Sequence, residues 1–173
     1  MKKISLRKQT TLAMLVALGY VLNTFVYFPR MAPFQHMINV IAAVILGPTL
    51  SFICALLIGT LRMVLNGNTI LAVIGAVIGA YLSGLCYKKT QKLYMAVVGE
   101  VIGTGIISAI VSYPFMVHFY GLPPTSIFTY VPFFIPSSLM GAIIGYVLIK
   151  SLEKTGNLQK MKQSLESERS QSC

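Results

Sequence analysis

Few side chains in this sequence could carry chemistry, and they lie within long apolar runs. The chain contains no Asp, and Glu100 is the only acidic residue inside an apolar run. Thr104, Ser108 and Ser112 follow at four-residue spacing, which places them on the helical face of Glu100. Such a face turns toward a bundle interior, because polar groups are costly in hydrocarbon. The sequence leaves Glu100 three roles: a ligand contact, a partner contact, or a hydrogen-bonded packing group.

A second polar cluster occurs in the run RMVLNGN, where Arg62 and Asn66 share one helical face. One interpretation is a donor-rich cluster that binds a polar solute entering from outside. The other is an arginine that extends to the membrane surface, followed by an ordinary turn at Asn66, Gly67 and Asn68. Arg62 lies outward of the membrane midplane and Glu100 inward of it, so we expect no ion pair between them.

Aromatic and polar residues also converge at the outer ends of several predicted helices. Together they could form a partly aromatic outer pocket for a flat heterocycle. For each single aromatic residue, the alternative is a place in the belt at the membrane interface. The predicted substrate-binding residues are Phe34, Gln35, His36, Asn39, Arg62, Asn66, Tyr113, His118 and Tyr130.

Several other chemistries are not indicated. The chain has no phosphate-binding Gly-x-x-x-x-Gly-Lys loop, no His-Glu-x-x-His and no Gly-x-Ser-x-Gly. Its two histidines and three scattered cysteines lack metal-ligand spacing and form no disulfide framework. Its basic residues lie at helix ends and tails, unlike a nucleic-acid surface. We therefore predict no enzyme, no cofactor, no metal site and no nucleic-acid partner.

The elements that must position these residues are membrane-spanning helices. Hydrophobic residues make up 55% of the 173 residues and charged residues only 10%, whereas about a quarter of a soluble protein is charged. A span needs roughly 20 apolar residues, so six spans would use most of the chain. We predict an all-α integral membrane protein, a bundle of six transmembrane helices in the bilayer. Pro, Gly and charged residues divide it at 10–28, 34–47, 49–66, 69–87, 93–119 and 124–150.

The distribution of basic residues predicts the orientation. With both termini in the cytoplasm, twelve of the 14 Lys and Arg residues face inward, and only Arg30 and Arg62 lie toward the outside. The inward set is Lys2, Lys3, Arg7, Lys8, Lys88, Lys89, Lys92, Lys150, Lys154, Lys160, Lys162 and Arg169. The polar region 151–173 is predicted to be a disordered cytoplasmic tail after a frayed helix end. Residues 1–150 would form the substrate-binding domain.

Two details refine this bundle. The segment from Phe34 to Leu46 is too short to cross a bilayer comfortably, at about 1.5 Å per residue, so the preceding loop should dip inward. Small residues recur at four-residue spacing, which is typical of helices packed closely in lipid. Examples are Gly75, Gly79 and Ser83, then Gly99 and Gly103, then Ser137, Gly141 and Gly145.

The first helix carries the run TLAMLVALGY, in which Ala13 and Ala17 form an Ala-x-x-x-Ala face. This resembles the substrate-binding S components of energy-coupling-factor (ECF) vitamin transporters, in which such alanines dock on a transmembrane coupling subunit. The runs PFQHMINVIAAVILGP and GTLRMVLNGNTILAVIGAVIGAYLSGL resemble the ThiW family of S components, over about residues 10–150.

The resemblance implies a function. The substrate would be hydroxyethylthiazole, a thiamin precursor, or a close relative, and two cytoplasmic ATPases would drive its uptake through the coupling subunit. The protein would lie in a bacterial or archaeal plasma membrane. Two alternatives stay open: an S component for another vitamin or precursor, and a small membrane enzyme or assembly protein that uses Glu100 and His36.

Overall fold

The computed structural model describes residues 5–26, 31–123 and 125–167, and within these ranges the chain is helical with no β-strand. The first four helices are α1 (Leu6–Phe25), α2 (Pro33–Leu46), α3 (Pro48–Leu65) and α4 (Leu71–Thr90). The next four are α5 (Leu93–Ile102), α6 (Ala109–Tyr120), α7 (Val131–Lys154) and α8 (Asn157–Ser167). A π-helical turn, Gly103–Ser108, joins α5 to α6, so that 93–120 form one continuous helix.

The centre of the bundle is α2, which contacts α1, α3, α4, α5, α7 and α8. Nearly all of its residues are buried, with Phe34 and Ile41 as the partly buried exceptions. Its 14 residues reach about 21 Å, less than the roughly 30 Å hydrocarbon thickness of a bilayer. A tight turn at Gly47, with φ of 84°, leads directly into α3. The central helix is therefore shorter than the bundle around it.

Close approach of the surrounding helices depends on glycine. A Cβ at Gly145 would lie 3.0 Å from the Met37 carbonyl oxygen of α2. A Cβ at Gly103 would lie 2.7 Å from the Cα of Gly79 on α4. Both distances are shorter than normal packing allows, so larger residues would force these helices apart. The small residues singled out in the sequence lie at these helix contacts.

Within the described residues, four helices are long and apolar enough to cross a membrane: Pro48–Leu65, Leu71–Thr90, Leu93–Tyr120 and Val131–Lys154. The α2 helix is apolar but shorter, and α1 has 20 residues with basic residues in its first turn. The chain is therefore a multi-pass helical membrane protein.

The region after Lys150 differs from the predicted disordered tail. The α7 helix continues to Lys154, and α8 follows after a turn at Gly156. Leu158 and Leu165 of α8 are buried in the cluster that contains the last residues of α2. The α8 helix is polar on average, which masks the apolar stripe formed by these two leucines seven residues apart. Its folding follows from the apolar α2 terminus that it covers.

Several predicted helix ends also differ. The last long helix begins at Val131 rather than at 124, and Pro132 lies in its first turn, where the missing N–H costs no intrahelical hydrogen bond. The first begins at Leu6 rather than at 10, with the Ser5 side chain accepting a hydrogen bond from the Lys8 N–H. Some residues used in the predictions lie outside the described ranges: Lys2, Lys3, 27–28, Arg30, Pro124 and Arg169.

Candidate functional site

A cavity of about 590 Å³ opens at one end of the bundle, where the α1–α2 and α3–α4 connections meet the start of α7. We call this the cavity end, and the end covered by α8 the tail end. The volume is within the range of small-molecule sites in proteins. The lining residues are Asn23, Thr24, Val26, Met31, Ala32, Gln35, His36, Arg62, Asn66, Asn68, Thr69, Leu71, Ala72, Gly75, Ala76, Thr104, Phe134 and Ser137.

The inner wall of the cavity is held by Glu100, which is fully buried behind it. Glu100 Oε1 accepts hydrogen bonds from Asn39 Nδ2 at 2.9 Å and from Thr104 Oγ1 at 3.1 Å. His36 Nδ1 lies 2.9 Å from the same oxygen. The His36 imidazole is thus fixed through Nδ1, and His36 and Thr104 present their remaining surface to the cavity. Glu100 positions two lining residues and does not itself line the cavity.

Neighbouring helices complete this buried cluster. Asn39 also donates to the Ala76 carbonyl at 3.1 Å and accepts from Gln35 Nε2 at 3.1 Å. Gly79 of α4 makes room for the carboxylate, since a Cβ there would overlap Thr104 Oγ1 and lie 3.1 Å from Glu100 Cδ. Thr104 belongs to the π-helical turn, a feature frequent at functional sites.

The mouth of the cavity is polar. Asn66 accepts a hydrogen bond from the Tyr20 hydroxyl and donates one to Thr24 Oγ1, both at 2.9 Å. These bonds join the end of α3 to α1. The Asn68 amide donates to the Arg62 carbonyl at 3.3 Å. The Arg62 guanidinium makes no hydrogen bond or ion pair within the described ranges, and its Nε is buried without a partner.

Of the predicted binding residues, Gln35, His36, Arg62 and Asn66 line this cavity. Asn39 lies beneath it and contacts Glu100. Phe34 instead packs in the apolar cluster between α1, α2 and α3. Arg62 and Glu100 form no ion pair in the described part of the chain.

The three predicted residues at the α6–α7 end, Tyr113, His118 and Tyr130, are not among the lining residues. Tyr130 precedes α7 and its ring centroid lies 6.1 Å from that of Phe134, which does line the cavity. Burial raises the pKa of Tyr130, and the nearby Tyr113 raises it further, so Tyr130 stays protonated at neutral pH. His118 is exposed near the end of α6. The predicted aromatic group therefore lies beside the cavity.

Other lining residues were missed by sequence reasoning. Asn23 and Thr24 occur at the end of an apolar helix, where polar residues are expected and attract no attention. Phe134 and Ser137 follow the first turn of α7, and Ser137 Oγ accepts a hydrogen bond from the Ala32 N–H at 2.9 Å. Only the register between α2 and α7 reveals their role. Ser108, predicted as an intramembrane polar residue, is buried in the π-helical turn, and its Oγ has no partner in the described part of the chain.

The described residues contain no group of three or more His, Cys or Glu side chains that could hold a metal ion. They show a cavity with both polar and apolar walls in an apolar bundle. A model of the ThiW family, described as thiamine-precursor transporter protein, matches residues 9–155. The chain belongs to the ThiW family. The match includes every lining residue of the cavity, all but the first three residues of α1, and α2 to α7. A member of this family is a transporter component and not an enzyme, which excludes the membrane-enzyme alternative. No curated protein matches the chain.

Proposed function

We propose that this protein is the substrate-binding S component of an ECF importer for a thiamin-precursor thiazole, hydroxyethylthiazole or a close relative. The observation that carries the proposal is the 590 Å³ cavity with both polar and apolar walls, closed toward the tail end by the Glu100 cluster and the buried α2 helix. A small heterocycle needs a shaped cavity with a few polar partners. His36, Thr104 and Asn66 supply hydrogen-bonding groups, and Phe134 supplies an aromatic face.

The proposed orientation places six helices across a bacterial or archaeal plasma membrane, with both termini in the cytoplasm. The basic residues support it, since Lys88, Lys89 and Lys92 lie at the α4–α5 turn and Lys154 ends α7, all at the tail end. Only Arg62 among the described basic residues lines the cavity. Basic residues favour the cytoplasmic side. The cavity then opens outward, and the substrate must be released inward.

Inward release in this proposal requires a coupling subunit and two cytoplasmic ATPases, and α1 supplies a surface for docking. Ala13 and Ala17 are exposed on α1, whose buried residues are Val16 and Gly19. Next to them, Met14 is 68% exposed and Leu18 48% exposed. Small residues beside an exposed apolar ridge allow a second helix to approach closely in lipid.

Substrate binding can be measured through a single introduced tryptophan, because the chain has none of its own. Phe134→Trp places the reporter in the cavity, and Phe52→Trp, on the exposed side of α3, is the matched control. Each purified variant is titrated with hydroxyethylthiazole, thiamin and riboflavin. We expect hydroxyethylthiazole to change the fluorescence of Phe134→Trp alone. Binding of a different vitamin would support the other S-component assignment, and no binding at high micromolar concentration would contradict both.

Docking is tested separately. Ala17→Trp should abolish cellular uptake of labelled substrate while leaving its binding to the purified protein unchanged. The control is Val147→Trp on α7, where the side chain is 59% exposed and equally apolar. Uptake by Ala17→Trp at the control level would remove α1 as the docking surface. Loss of binding would show that Ala17 acts on the cavity.

A further inference from the structure

The described residues that line the cavity include a positive charge but no negative charge. Among the described residues that line it, Arg62 is the only one with a permanent charge, and none is acidic. The acidic residue nearest the inner wall, Glu100, is fully buried and already accepts from Asn39 and Thr104 and contacts His36. The protein thus provides no anion for Arg62 within the cavity.

The guanidinium of Arg62 is partly removed from water without compensation by a partner. Its Nε is buried and makes no hydrogen bond in the described part of the chain. The position of Arg62 in the last turn of α3 offers partial compensation from the helix dipole, worth a fraction of an ion pair. A planar guanidinium presents several N–H groups suited to a carboxylate or phosphate. An oxyanion in the cavity would supply the missing acceptor.

The start of α2 adds to this positive potential. Ala32, Gln35 and His36 bring the first turn of this 14-residue helix to the cavity. That turn contains no acidic residue, and no side chain caps it. A helix N-terminus carries a partial positive charge and favours anions. Arg62 and the α2 terminus therefore act on the same space from two helices.

From these observations we infer that the cavity takes an anionic ligand, a small heterocycle bearing a carboxylate or a phosphate monoester that pairs with Arg62. The inference rests on the proposed function and specifies the chemical form of its substrate. The oxyanion lies at the Arg62 side, and the ring extends toward His36 and Phe134. Hydroxyethylthiazole itself, a neutral alcohol, then fills the ring position and leaves the oxyanion position to water.

The test compares three ligands on the purified full-length protein: hydroxyethylthiazole, its phosphate monoester, and the thiazolylacetate in which a carboxylate replaces the alcohol carbon. Inorganic phosphate serves as a competitor without a ring. We expect at least one anionic thiazole to bind about tenfold or more tightly than the alcohol, since charge-assisted hydrogen bonds are the stronger ones. The tighter of the two anions identifies the preferred group.

Variants test whether Arg62 causes the higher affinity for anionic thiazoles. Arg62→Gln should reduce the ratio of anion to alcohol affinity to about twofold while the alcohol still binds, and Arg62→Lys should keep part of the ratio. Lys92→Gln removes an equal charge at the tail end and should leave the ratio unchanged. An unchanged ratio in Arg62→Gln, or an alcohol that binds as tightly as both anions to the wild type, would overturn the inference alone. Failure of all three thiazoles to bind would overturn the proposed function with it.

Discussion

Glu100→Ala tests whether the buried cluster holds the cavity wall in place. The change removes the acceptor used by His36 Nδ1, Asn39 Nδ2 and Thr104 Oγ1, at 2.9, 2.9 and 3.1 Å. A buried donor without an acceptor costs about 1–3 kcal/mol. Asn39 keeps its bond to the Ala76 carbonyl, so the loss falls mainly on the other two groups. We expect the free energy of unfolding to fall by about 2–6 kcal/mol, which corresponds to a Tm lower by roughly 4–24 °C for a chain of this size.

The assay uses the buried thiol of Cys54, which is 1% exposed and reacts with a thiol-specific dye when the bundle opens. The other two cysteines are replaced by serine, and the Tm is read from the dye signal in detergent. Glu153→Ala is the matched control, because Glu153 is half exposed and pairs only with Lys150 on the surface. It should change the Tm by no more than about 2–4 °C.

A third variant separates hydrogen bonding from charge. Glu100→Gln keeps one acceptor oxygen for the cluster, loses the charge, and places an amide NH2 where Oε2 is buried without a partner in the described residues, so its Tm should lie between those of the wild type and Glu100→Ala. The reasoning is refuted if Glu100→Ala melts within about 2 °C of Glu153→Ala, since the three donors would then not depend on this carboxylate. It is also refuted if Glu100→Gln is the less stable of the two Glu100 variants.

Two further predictions concern packing around the cavity. Gly141→Ala should lower the Tm and weaken ligand binding, because its Cβ would overlap the Pro33 carbonyl oxygen and lie 2.8 Å from His36 Cβ. The control is Gly75→Ala, whose Cβ would meet only the rotatable Phe134 ring at 3.1 Å and which should keep the wild-type Tm. At the tail end, Leu165→Ala should cost about 2–5 kcal/mol in the thermal assay, whereas Met161→Ala, on the exposed face of α8, should cost less than half as much.

The helical bundle could be predicted because a lipid bilayer allows a spanning chain very few backbone structures. Long apolar runs in lipid must be helical, and Pro or Gly marks most of their ends. The short α2 was readable from Pro33 and Gly47 alone. The α8 helix was not, because its stability comes from contact with the buried end of α2, which lies more than a hundred residues away in sequence. Two leucines at helical spacing in a polar segment do not predict a packed helix unless the apolar surface that they contact is known.

Part of the cavity lining could also be predicted from the contrast between polar and apolar residues. Gln35, His36, Arg62 and Asn66 stand out as polar residues near or within apolar runs. The sequence does not reveal the π-helical turn at Gly103–Ser108, which adds a residue to one turn of the 93–120 helix. Each extra residue rotates the following side chains by about 100° relative to an ideal α-helix. The sequence therefore places Tyr113 and His118 near one end of this helix but does not fix the side of the helix on which they lie.

The short length of α2 explains why one end of the bundle has a cavity and the other end is covered by α8. A central helix of about 21 Å inside a bundle that spans about 30 Å leaves unfilled space along its axis. At the cavity end that space is polar, because Gln35 and His36 occupy the first turn of α2 and Asn66 and Arg62 the end of α3. At the tail end it is apolar, and α8 fills it with Leu158 and Leu165. Extending α2 by one turn at its start would occupy the cavity with backbone, so a short central helix is a requirement for a ligand site at this depth.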